Sequence, residues 1–261
     1  MTPCRNGAPT LERALRSVRE QGYPDLEHIV VDGASTDGTL EILARTPGIR
    51  YVSEPDRGLS DALNKGIEMA TGDVIGWLNA DDFYVPGALA TVGAAFEANP
   101  DLEWCTGVSI IVDGLDQEIR RGVTAYKSRL LRHYSLPLLL TQNFVAAPST
   151  FIRRDALQTV GPFAERLKYS MDYDVWLRLA RRGPAIVINQ PLAAFRMAEG
   201  SLSMTGFVAQ FEEHLEVARA HGTGHRAAVL VNAVMSRLIV LVYKLLAWRR
   251  RRRRGPHGAA L

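Results

Sequence analysis

The first hundred residues alternate short β-branched runs with amphipathic helices, and this alternation restricts the fold more than any other feature of the chain. "APTLERALRSVREQGYP" reads as a helix capped by Thr10, with Leu11, Leu15 and Val18 on one face and Gly22 and Pro24 past its end. "LEHIVV" is a strand that runs into the turn cluster "DGASTDGT". A helix from Thr39 to Arg45, a strand near "RYVSE", a helix from about Ser60 to Ala70 and an apolar run from Val74 to Leu78 follow. Helices that link successive strands through short loops predict an α/β fold with a doubly wound, mostly parallel sheet. "VPGALATVGAAFEANP" and "LEWCTGVSII" continue it. Beyond them "GLDQEIRRG" reads as a hairpin turn, and residues 125–148 read as irregular, with Pro137 and Pro148 interrupting. "DYDVWLRLARRGP" restores a helix, acidic at its start and basic in its last turn.

The opening is unusual. A doubly wound domain begins with a buried strand, and here only Met1-Thr2-Pro3 precede the loop "CRNGAP". The reading favours a truncated first strand over a substitute from elsewhere. The net charge of +3 also misleads, because six of the 31 basic residues form the run Arg249 to Arg254. Without that run, 25 basic residues face 28 acidic ones, a body charge of −3, so the basic pI implies no nucleic-acid partner. Cys4 and Cys105 are too few for a disulfide framework or a structural zinc site, and suit a reducing cytoplasm. The N-terminus carries no basic region followed by an apolar stretch, so no signal peptide is expected.

Ligands of open parallel sheets bind outside the carboxyl ends of the strands. Four polar clusters fall at such ends: Pro3 to Asn6, Asp32 with "GASTDG", "SEPDRG" at 53–58, and "NADD" at 79–82. Any one of them is explained by turn or capping preferences. Four on one rim point to a ligand. Asp81 and Asp82 are adjacent carboxylates at a rigid strand end, and they repel unless a cation or donor groups offset the charge. Magnesium or manganese, held by one or two carboxylates plus substrate phosphates, would do so. No G-x-G-x-x-G or G-x-x-x-x-G-K-[ST] occurs, so recognition of phosphate falls to the metal and to loop donors. Asp172 stands at a helix start, where the dipole favours the ionised form that could accept a proton from a hydroxyl.

Taken together, "TPCRNG", "YPDLEHIVVDGASTDGT", "SEPDRGLSDALNKGIEMATGDVIGWLNADD" and "YSMDYDVWLRLA" resemble the family-2 glycosyltransferases, in order and spacing, over about residues 2–203. The resemblance implies a GT-A fold and direct displacement at the anomeric carbon with inversion. It places Asp32 against the nucleotide base and Asp61 beside the nucleotide-sugar. Pro3, Asn6, Asp56, Lys65 and Asn79 complete the donor-binding set. In "ADD", the counterpart of the D-x-D motif, Asp81 would lie near the ribose or sugar and Asp82 on the metal. Asp172 would be the general base. The donor would be a nucleotide diphosphate-sugar, UDP favoured, and the acceptor a hydroxyl of a glycan or polyprenyl-linked glycan. Where related sequences read R-x-H, this chain has Arg196-Met197-Ala198. No Q-x-x-R-W motif appears, which favours transfer of a single sugar.

Residues 227–248 are apolar enough to suggest a bilayer span, but Arg237 and Lys244 interrupt them. With Arg226 these fall near one helical face, which predicts an interfacial amphipathic helix whose arginine run attracts anionic lipid. The alternative is a helix packed on the catalytic body. The expected organisation is a nucleotide-sugar half at 1–105, an acceptor half with the base at 106–203, C-terminal helices at 204–248 and a polybasic tail at 249–261. The expected location is the cytoplasmic face of a membrane. Two rival readings are a truncated, inactive homologue that binds membrane or partner, and a nucleotidyltransferase, for which "TPCRNGAP" is a poor phosphate loop.

Overall fold

The computed structural model describes residues 1–197 and 206–253. Parallel strands β1 (Thr2–Cys4), β2 (His28–Asp32) and β3 (Ile49–Ser53) form one sheet, in that order. Helices α1 (Ala8–Arg19), α2 (Thr39–Arg45) and α3 (Leu59–Met69) are the crossovers and the exit from it. Leu11 and Leu15 of α1 pack with Val30 and Leu43 on one face of the sheet, and Ala62 of α3 packs with Ile29 and Val31 on the other. Each fully buried leucine of this kind contributes about 1.5–3 kcal/mol.

The second sheet has the order β4-β7-β6-β8-β5, from β4 (Val74–Gly76), β5 (Phe83–Tyr84), β6 (Trp104–Val112), β7 (Thr150–Arg153) and β8 (Ile186–Arg196). Only β6 and β8 run parallel in it; β4/β7, β6/β7 and β5/β8 are antiparallel. The parallel expectation therefore holds for the sheet of β1 to β3, and the strands from β4 onward build a mixed sheet. Helix α4 (Ala88–Ala98) packs Leu89, Val92 and Phe96 against this sheet beside Leu192.

Residues 125–148, expected to be irregular, contain most of α5 (Arg121–Arg132) and all of α6 (Leu136–Thr141). Ser135 caps α6 by accepting the Leu138 N–H at 3.3 Å, and Pro137 sits in its first turn, where the missing N–H costs nothing. The proline marks a helix start, not an interruption. Helices α7 (Arg154–Val160) and α8 (Met171–Arg182) follow. Trp176 of α8 stacks on Trp104 of β6, with ring centroids 6.1 Å apart, in a core that includes Leu139, Leu140 and Leu177. The turn at residues 113–117 appears as expected, with Asp113 N–H bonded to Gln117 O.

The first strand is short, but it is present. It lies between the two sheets: Thr2, Pro3 and Cys4 register with Val30, Val31 and Asp32 of β2. On the other side the Met1 nitrogen donates to Gly76 O at 2.8 Å, and Leu78 N–H donates to Met1 O. The next donor to that side would be residue 3, a proline without an N–H, so the ladder ends at Leu78.

Helices α9 (Phe207–His221) and α10 (Arg226–Arg253) complete the described chain. Helix α10 packs Ala228, Asn232 and Ser236 inward, and Asn232 Nδ2 donates to Leu140 O at 3.0 Å. Leu230, Val231, Val234, Leu238, Leu241 and Val242 stand exposed on its outer face. Among the described residues, no helix is long and apolar enough to cross a membrane. Ala198 and residues 254–261 lie outside the described residues, as do the side chains of Lys244 and of the arginine run.

Candidate active site

The rim at the carboxyl ends of β1 to β3 is knitted together by short polar side chains. Asp32 is wholly buried; its Oδ2 accepts Ser35 N–H at 3.0 Å and the Ser53 hydroxyl at 2.6 Å, and its Oδ1 accepts the Ser35 hydroxyl. Asn6, at φ 51°, donates its N–H to Ser35 Oγ and accepts Thr36 N–H on Oδ1. Helix α1 starts at Ala8, and its cap comes from outside: Asp37 Oδ2 accepts Ala8 N–H at 3.1 Å, and Thr39 Oγ1 accepts Gly7 N–H at 2.9 Å. Thr10, expected to cap this helix, lies inside it. Asp56 accepts Gly58 N–H at 2.9 Å and covers Gly33, where a Cβ would stand 2.1 Å from the carboxylate.

Asp61 lies in the first turn of α3 and accepts both Arg57 N–H and the Arg57 guanidinium, at 3.0 and 2.9 Å. These bonds hold its carboxyl down at about 2. Lys65 donates to Pro55 O at 3.0 Å and pairs with Glu54 at 2.7 Å. Both residues thus fasten the 54–58 loop to α3. Pro3 is buried in β1.

The turn after β4 separates two carboxylates that the sequence presents as equals. Asp82 is wholly buried; Oδ1 accepts the backbone N–H of Arg196 at 2.9 Å and Oδ2 accepts Asn79 Nδ2 at 3.0 Å. Asn79 is oriented in turn by Trp77 Nε1, which donates to its Oδ1 at 2.7 Å. Asp81 is half-buried. Burial pushes both carboxyls up, Asp82 furthest because Asp81's charge adds to it. A cation or a proton is the natural remedy for such a pair.

Asp172 occupies the first turn of α8, on the other lobe. Its Oδ1 accepts the N–H of Tyr173 at 2.6 Å, and Asn143 Nδ2 lies 3.4 Å from Oδ2. Burial pushes its carboxyl up to about 6, against the pull of Tyr173 N–H, Asn143 and the charge of Lys127. The helix terminus therefore does lean towards the ionised form, as the sequence suggests, but desolvation outweighs it. The N-terminus of α8 is fixed by Glu213 of α9, whose carboxylate accepts the N–H groups of Lys168, Tyr169 and Ser170 at 2.9, 2.6 and 2.7 Å. The two lobes meet where Asn64 of α3 exchanges hydrogen bonds with the backbone of Phe163 at 2.9 and 3.0 Å, and Trp77 meets the Phe163 ring edge-on at 5.5 Å.

The structure thus gathers Pro3, Asn6, Asp32 and Asp56 on one rim, with Asn79, Asp81 and Asp82 at the adjoining strand end and Asp172 on α8 of the other lobe. Sequence reasoning missed Asn143, Lys127 and Glu213. Nothing local marks them, since each matters only through contacts made across the fold. Arg196 was noticed only as part of a motif.

Residues 1–161 match glycosyl transferase family 2. A PGL/p-HBAD biosynthesis glycosyltransferase of Mycobacterium tuberculosis is 30% identical over 261 residues, covering 96% of each chain. The chain spans 65% of the length of an uncharacterised protein of the same species, at 29% identity over 74% of its own length. Among solved structures, S. aureus TarS 1–349 in complex with UDP-GlcNAc superposes with a TM-score of 0.68 at 16% identity, over 84% of this chain and 64% of that one. The mannosyltransferase PcManGT of Pyrobaculum calidifontis, in complex with GDP-Man and Mn2+, superposes with a TM-score of 0.65 at 20% identity, over 95% and 79%. These neighbours share the GT-A fold that the two sheets and their helices build here. With more than half of its length matched, the chain belongs to glycosyl transferase family 2 and is an enzyme of the glycosyltransferase type.

Proposed function

We propose that the enzyme moves one sugar, with inversion, from a nucleotide diphosphate-sugar to a hydroxyl of a glycan or lipid-linked glycan. The observation that carries this reading is the division of labour among three carboxylates. Asp81 stands at the mouth of β4 with its side chain partly open, Asp82 is locked beneath it, and Asp172 sits on the other lobe with its proton affinity raised towards neutrality. In support, relatives are named PGL/p-HBAD biosynthesis glycosyltransferases, and of the structural neighbours one holds UDP-GlcNAc and another GDP-Man and Mn2+.

A divalent cation fits this donor set. Among the described residues no three His, Cys, Asp or Glu side chains gather as a closed metal site. A site of one or two carboxylates completed by phosphate and water is what magnesium and manganese accept. Asp81 is the more open side chain, so it is assigned the metal, and Asp82, with both oxygens already bonded, supports it from below. This exchanges the roles expected from sequence. When bound, the cation would neutralise charge on the departing diphosphate. Asn6, Asp32 and Asp56 shape the nucleotide's rim, and Asp61 and Lys65 brace the loop beneath it. Asp172 accepts the proton of the attacking hydroxyl on Oδ2, the oxygen not bonded to its own helix. The rival reading of an inactive, truncated homologue rested on a missing first strand, and β1 occupies that place.

Calorimetric titration of UDP, dTDP and GDP, with and without manganese, tests the donor site. The expected result is binding that needs the metal and prefers one base, uridine favoured. A folded protein that binds none of the three removes the reading.

The outer face of α10 supports a second part of the proposal: docking at an anionic membrane surface, where a lipid-linked acceptor resides. This helix buries its polar Asn232 and Ser236 and exposes Leu230, Val231, Val234, Leu238, Leu241 and Val242, with Arg226 and Arg237 also exposed. That is the reverse of a helix built to face water. Replacing Leu230, Val234 and Leu238 with serine should leave the melting temperature nearly unchanged and abolish flotation with anionic vesicles. Undiminished flotation would reject α10 as the anchor.

A further inference from the structure

Arg196 closes β8 and is 5% exposed. Its backbone N–H holds Asp82, as above, while its side chain reaches three further points. Nε donates to the carbonyl of Asp81 and Nη1 to the carbonyl of Asp113, each at 2.9 Å, and Nη2 pairs with Asp116. Asp116 lies in the turn after β6 at φ 60° and also accepts Arg13 Nε of α1 at 3.0 Å. The Arg13 guanidinium lies 3.9 Å above the ring of Phe83, the residue next to Asp82. Asp113 fixes the same turn by accepting the N–H groups of Leu115 and Gln117 at 2.8 and 3.0 Å.

One residue therefore ties two segments, its own strand β8 and the turn after β6, to the Asp81–Asp82 turn. The guanidinium gives its hydrogen bonds to two carbonyls and to Asp116, rather than to either carboxylate of the pair. Asp116 offsets its charge, so it braces the pair without occupying the oxygens that a cation would need.

We infer that Arg196 is a positioning residue for the donor site, aiming Asp81 through its backbone carbonyl and Asp82 through its carboxylate, with Asp116 and Arg13 as its outer support. The inference rests on the proposed reading that the Asp81–Asp82 turn receives a metal and a nucleotide diphosphate. It makes a prediction opposite in sign to that of simple charge. A cation that merely sits near the site repels the metal, and its removal should tighten metal binding. A brace, once removed, should loosen it.

The test measures manganese binding in the presence of UDP, by the electron spin resonance signal of free Mn2+, for the intact protein, Arg196→Met, Arg196→Lys and Asp116→Asn. Thermal melting is recorded alongside. Arg196→Met should weaken manganese binding about tenfold to a hundredfold, the range found when outer partners of metal ligands are removed. Arg196→Lys keeps the charge but cannot span three acceptors, and should recover only part of the loss. If Arg196→Met does not fold, Asp116→Asn, in a turn at the surface, decides the matter with an expected loss of severalfold. Variants that melt lower but bind manganese as tightly as the intact protein, or more tightly, would overturn the inference. An intact protein that binds no manganese with UDP would instead bring down the donor-site reading on which it rests.

Discussion

Asp172→Asn should leave nucleotide affinity unchanged and slow sugar transfer by about 10²–10⁴-fold, the usual range for a lost general base. Under the proposed reading the two effects separate because Asp172 lies on α8, apart from the rim built from β1 to β3 and the turn after β4. Asparagine keeps the size of the side chain, and its carbonyl oxygen can still accept the Tyr173 N–H, so the helix start survives. Calorimetry of the nucleotide and single-turnover transfer give the two readouts. Equal loss in both would contradict the assignment. The same residue sets a pH dependence. The base must be ionised to accept a proton, and burial pushes its carboxyl up to about 6. Transfer should therefore rise with pH through about 6 and level off above 7. The variant should lose that limb. The sign for stability is opposite: the raised carboxyl favours the folded state when protonated, so its contribution declines as pH climbs from about 4 to 6.

The second large effect belongs to the adjacent pair. Asp81→Asn should abolish manganese-dependent nucleotide binding, because it removes the open carboxylate from the mouth of β4. Asp82→Asn should also weaken the metal, through lost charge and altered support, yet melt at the same or a higher temperature than the intact protein. Asp82 is wholly buried and its proton is strongly held, so a neutral amide resembles the state that the metal-free fold prefers. Its Oδ1 can still accept the Arg196 N–H, but its amide nitrogen then faces Asn79 Nδ2, which Trp77 holds in place, so one hydrogen bond is lost against the relief of a buried charge. Metal titration and melting curves of both variants check the pair. A marked drop in melting temperature for Asp82→Asn would show that the charged form supports the fold.

Local chemistry explains what could be read in advance. Helix α2 has the bounds expected from its sequence, and α3 and α8 differ by a residue or two, because periodicity and charge bias lie within a dozen residues of one another. The rim of polar clusters was equally legible, since strand ends in a parallel sheet are where ligands go. What escaped was decided by distant partners. Pro137 looked like a break until Ser135 appeared as the cap before it. The helix-start reading of Thr10 failed because Asp37 and Thr39, far along the chain, supply the oxygens at Gly7 and Ala8. Asp81 and Asp82 are indistinguishable as letters, and the one that faces inward meets its partner, the backbone N–H of Arg196, 114 residues further on. The mixed second sheet was hidden for the same reason, because β7 and β8 pair with strands 44 or more residues away.

Pro3 has a consequence that reaches beyond its own backbone. The chain around Leu78 and the first strand close like a zipper from Gly76 upward, one rung per amide. An ordinary residue at position 3 would offer one more tooth, an N–H facing the carbonyl of Leu78. Proline has no tooth to offer. The fastening stops at Leu78, and Asn79 and the Asp81–Asp82 turn are left to bond elsewhere, Asn79 with Trp77 and Asp82, and Asp82 with Arg196.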